Sequence, residues 1–157
     1  MEYLIGVGLA VAVCAFATVA GWDRERVFYP TMLAPVATYY VLFAVMGSST
    51  PVLAQESLVA VGFLALAAIG FSKNLWLAAA ALAGHGVFDL FHHLLIRNPG
   101  VPQWWPGFCL SYDVVAGGFL AVLLLRRSGF ALPQGDGAAH KSADPLKGEP
   151  QARKANW

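Results

Sequence analysis

Five apolar runs take up most of the first 127 residues, at about residues 3–21, 29–47, 56–71, 75–96 and 108–125. A stretch of about 20 apolar residues spans the hydrocarbon core of a bilayer, and such runs leave few other folds open. The composition agrees: 58% of the 157 residues are hydrophobic and 12% charged, where a soluble domain carries about 25% charged residues. The sequence therefore predicts an all-α integral membrane bundle of about five transmembrane helices, residues 1–127, in the cytoplasmic membrane. The first run has no positive flank before it and exceeds the apolar length of about 7–15 residues typical of a signal peptide, so it reads as a retained helix. The connections are short, which makes successive helices antiparallel neighbours. Pro35 falls inside the second run, where a proline kinks a helix. From Ser128 to the end the chain is rich in Gly, Pro, Ala, Lys and Asp. That composition buries no core and reads as a disordered cytoplasmic tail, residues 128–157.

Basic residues near the helix ends set the orientation. Arg24, Arg26, Lys73, Arg126 and Arg127 collect on one side and only Arg97 on the other. The first side is expected to be cytoplasmic, with the N-terminus outside. The net charge of +1 and the lack of a basic stripe exclude a nucleic-acid partner. The expected partner is the lipid bilayer, with a larger membrane complex or a homo-oligomer as further candidates. Cys14 and Cys109 have no metal-knuckle spacing and lie too far apart along their runs to be expected in a disulfide.

Against this background the fourth run carries His85, Asp89, His92 and His93. An Asp at a helix centre costs roughly 2.5–3.5 kcal/mol on insertion scales, which makes function the default reading of intramembrane ionisable groups. At 100° per residue, Asp89, His92 and His93 lie about 40°, −20° and 80° from His85, so all four share one side of the helix. With the expected topology, Asp113 in the fifth run and Glu56 at the start of the third fall in the same outer half of the membrane. Imidazole and carboxylate together suit a divalent transition metal (zinc, iron, manganese or copper). His85 and His92 are about 10 Å apart along the axis, too far to share one ion. The first-choice ligands are therefore Asp89, His92, His93 and Asp113, with His85 and Glu56 as second-choice ligands or proton-transfer groups.

Three alternatives stand beside the metal. His92 and His93 read equally as interfacial residues beside Arg97, leaving a hydrogen-bonded His85–Asp89 pair as a structural or proton-relay element of a transport or accessory subunit. Haem or chlorophyll on a single axial His is a weaker alternative, because bis-histidine ligation needs opposing helices and His140 lies in the tail. In the Pro-rich loop 97–107, tryptophans suit anchoring at the membrane boundary. Pro102, Trp104 and Trp105 are also lid candidates over the polar centre, since this loop joins the helices of His93 and Asp113. Tyr39 and Tyr40 read as interhelical packing with a hydroxyl partner, and residues 22–26 as a solvated turn with local ion pairs.

The run His85-Gly-Val-Phe-Asp89-Leu-Phe-His92-His93, with Asn98-Pro99 after it and an Asp on the next helix, resembles a group of small uncharacterised bacterial polytopic membrane proteins. Those carry an HxxxDxxHH-type helix and an Asn-Pro outer loop, and the resemblance implies no activity. The Asp-x-x-His-His portion is similar to one histidine box of membrane desaturases and hydroxylases, whose several boxes are reduced here to one. A few His combined with Asp inside a helical bundle is similar in chemistry to ceramidase-like zinc enzymes. That similarity implies hydrolysis of a lipid-like substrate by a metal-activated water.

Overall fold

A computed structural model describes residues 1–47 and 50–129. These form five helices, α1 (Glu2–Ala20), α2 (Phe28–Met46), α3 (Thr50–Ser72), α4 (Leu75–Leu95) and α5 (Trp105–Gly129), with one 3-10 turn at Trp22–Arg24 and no strand among them. All five helices are long and apolar enough to cross a membrane. Local chemistry accounts for the boundaries. α1 ends at Gly21, whose φ of 77° closes the helix in the left-handed conformation that glycine tolerates. The Asn74 side chain caps α4 by accepting from the Trp76 N–H at 2.9 Å. α3 begins at Thr50, about a turn and a half before Glu56, where the apolar pattern alone would start it. Pro51 falls in the first helical turn, where its missing N–H costs nothing, and it lets the polar Gln55 and Glu56 join the helix. The tail expected from composition covers residues 128–157; α5 includes the first two of these, and residues 130–157 lie outside the described residues.

α4 is the central helix. It packs against α5, α3 and α2, while α5 turns its other side to α1 and α2 pairs with α3. Small residues permit the close approach of α4 and α5. A Cβ on Gly86 would stand 2.9 Å from the Leu110 carbonyl oxygen, and one on Gly117 would stand 2.8 Å from that of Ala79. The buried positions Ala78, Leu82, His85, Asp89 and His92 recur every three or four residues, the period of a helix's inward stripe. The polar groups thus continue the row that Ala78 and Leu82 begin, and helical periodicity alone carries them into the interior.

At the end bearing the Trp22–Arg24 turn, no ion pair forms within residues 22–26. Asp23 is buried, and its carboxylate accepts from the Thr18 hydroxyl at 3.0 Å. Arg26 and Arg127 donate instead to the backbone carbonyls of Phe71 and Asp23, at 3.0 and 2.9 Å. These contacts satisfy carbonyls that a helix end leaves free. Cys14 and Cys109 are buried free thiols.

Candidate functional site

Five ionisable side chains from three helices are buried between the middle of α4 and its C-terminal end: Glu56, His85, Asp89, His92 and Asp113. They divide into two groups. In the inner group, His85 Nδ1 lies 2.8 Å from Asp113 Oδ2 and 3.5 Å from Asp89 Oδ2. His85 is ten residues from the start of α4 and ten from its end, about 15 Å from each. His85 and Asp89 are adjacent because they are one turn apart on one face. Asp113 joins them because the glycine seam lets α5 lie against α4. The three side chains offer one ligand atom each, all within 4.8 Å of one another.

The outer group ties α3 to α4 and to the loop. His92 Nε2 is 2.8 Å from Glu56 Oε1, and the same oxygen accepts from Asn98 Nδ2 at 2.9 Å. Asn98 Nδ2 also donates to the Tyr40 carbonyl at 3.1 Å, and Asn98 Oδ1 accepts from the Gly100 N–H. One carboxamide thereby fixes the loop to α2 and α3 together. The Tyr40 ring links the two groups. Its centroid lies 4.1 Å from that of His92 and 6.4 Å from that of His85, and its hydroxyl stands near the Asp89 carboxylate without closing a well-formed hydrogen bond. Phe63 sets its edge against His85 at 4.7 Å, and Phe88 stands against His92 at 5.7 Å.

The structure thus brings Asp89 and Asp113 together with His85, and it places His92 with Glu56. His93, about 100° further round the helix than His92, is exposed and in neither group. Of the lid candidates, Pro102 lines an open groove at this end of the bundle that His92 and His93 also line. Trp105 packs on Tyr39 and Phe43, and Trp104 on Trp105 and Phe108. The chain pattern does not mark the contacts of Asn98 or the linking position of Tyr40. A single amide in a loop carries no periodicity, and only the Asn-Pro of the resemblance drew notice to it.

The inner group has more acceptors than donors. Both oxygens of Asp89 and Oδ1 of Asp113 are buried without a hydrogen-bond partner. Buried polar atoms are nearly always satisfied, and with both carboxylates ionised a single imidazole would leave negative charge uncompensated in a medium that penalises it. A cation answers both deficits. Ligand atoms around a tetrahedral zinc with bonds of about 2.0–2.1 Å stand about 3.3 Å apart, between the two separations from His85 seen here. Entry of an ion therefore asks for side-chain adjustments of a few tenths of an ångström on those two edges. Comparisons with family models, with curated proteins and with solved structures give no match, and the chemistry of the site is argued from its own residues.

Proposed function

We propose that this chain is a multi-pass protein of the cytoplasmic membrane whose interior holds one divalent transition metal on His85, Asp89 and Asp113. The observation that carries the reading is the set of three unpartnered carboxylate oxygens around His85. Membrane insertion is supported by the outward side chains. Leu4, Ile5, Phe16, Val19, Leu58, Val61, Leu94 and Leu95 are all at least half exposed, a surface that water does not tolerate at this extent. The orientation we adopt puts the N-terminus and the 97–107 loop outside, on the basic-residue bias.

One imidazole and two carboxylates suit zinc, manganese or ferrous iron better than a soft ion. Three protein ligands leave a coordination position for water, and hydrolysis of a lipid-like substrate is the chemistry such an ion supplies. A substrate would reach Asp89 from the groove past His92 and Tyr40, so hydrolysis requires the loop and these rings to move. That enclosure favours a second reading, in which the same centre is an ion or proton relay of a transport or accessory subunit. Glu56 and His92 then stand between the groove and the centre, with Glu56 Oε2 free to accept.

Zinc titration of chelator-stripped protein in detergent tests the centre. The full chain is expected to bind one equivalent, Asp113→Asn none, and His93→Ala one. Loss of binding in His93→Ala with retention in Asp113→Asn would move the site to the exposed end of α4 and refute this assignment.

A further inference from the structure

The groove at the loop end has a volume of about 730 Å³. Its walls come from the end of α4, the 97–107 loop and the first residues of α1. Leu90, Ile96 and Tyr3 supply apolar lining, and Arg97, His93 and Glu2 also line the groove; the Glu2 carboxylate is paired with the Met1 ammonium at 3.1 Å. Arg97 has no ion-pair or hydrogen-bond partner among the described residues, and its position two residues beyond α4 puts it at the depth where a helix meets the headgroup layer. A guanidinium is the side chain best matched to a phosphate, whereas the Glu2 carboxylate already has the chain's own ammonium as its partner. Apolar walls beside an unpaired guanidinium fit an amphiphile with a phosphate in its head.

We infer that this groove binds a phospholipid, with the phosphate on Arg97 and His93 and the acyl chains against Leu90 and Tyr3. The inference rests on the membrane reading and names the ligand class for the outer mouth of the site. It does not depend on a metal being bound. His92 and Asn98 both line the groove and join the buried polar groups, so a lipid seated here lies against the route to the centre.

The test is a binding titration on the full chain in a maltoside detergent, read as thermal stabilisation. The probes are dihexanoyl phosphatidylcholine, the dihexanoyl diacylglycerol that lacks the headgroup, and phosphocholine alone. Phosphatidylcholine is expected to stabilise the protein saturably, and the other two only at concentrations at least tenfold higher. Arg97→Ala should raise its half-saturating concentration about tenfold, the loss of one charge-assisted contact. Arg97 is exposed, so the fold survives. Equal binding by the diacylglycerol, equal binding by phosphocholine, or an unchanged Arg97→Ala titration would each overturn the lipid assignment. Asp113→Asn should lose metal and keep the lipid, so failure of the metal centre and failure of the lipid site give different results.

Discussion

Glu56→Ala is expected to destabilise the bundle by about 3 kcal/mol, measured as a shift in reversible detergent unfolding. One carboxylate oxygen lies within hydrogen-bond distance of both His92 Nε2 and Asn98 Nδ2, and removal of the side chain leaves the buried imidazole and one N–H of the half-buried Asn98 without that partner. Leaving a buried donor or acceptor unsatisfied costs about 1–3 kcal/mol per group. The loop should also come loose, because Asn98 loses one of the two contacts that hold it to α2 and α3. Faster hydrogen exchange at residues 97–104 reads that loss directly. Glu56→Gln keeps an acceptor at the same place and should recover about half of the stability. An Ala variant as stable as the parent would show that the outer polar group does not hold the fold.

Gly86→Val is the second substitution with a large effect. A Cβ there meets the Leu110 carbonyl oxygen at 2.9 Å and Asp113 Cβ at 3.1 Å, and neither atom is the end of a flexible side chain. α5 must therefore retreat from α4. Overpacking of this kind costs about 1–3 kcal/mol, and the retreat carries Asp113 away from His85. We expect Gly86→Val to lower the unfolding midpoint and abolish metal binding together. Gly84→Ala is the control: a Cβ at Gly84 has nothing within 4 Å, so it should preserve both. Loss of stability with metal retained would mean that Asp113 is not held in place by the α4–α5 seam.

The helices could be read from the chain because lipid-spanning segments announce themselves by length and apolarity. The start of α3 could not, since Gln55 and Glu56 interrupt the apolar pattern. Only the tertiary partners of Glu56 on α4 and in the loop explain why a carboxylate belongs inside. The pairing of His85 with Asp89 follows from one helical turn, and Asp113 follows from antiparallel topology. What the pattern left open was rotation about the α4 axis relative to its neighbours. That rotation directs His85 to α5 and His92 to α3, and it leaves His93 outside, a division that spacing along one helix does not decide. Tyr40 teaches the same lesson from the other side. Its sequence context calls for a hydroxyl partner, whereas in the fold its ring bridges two histidines and its hydroxyl closes no well-formed hydrogen bond.

The most direct test of the central claim is the metal content of protein purified in detergent, measured by elemental mass spectrometry beside an Asp89→Ala variant of equal monodispersity. The account predicts close to one zinc, manganese or iron per chain in the parent and none in the variant. A parent that carries no metal after purification and after reconstitution, or a variant that retains the parent's full content, would contradict it.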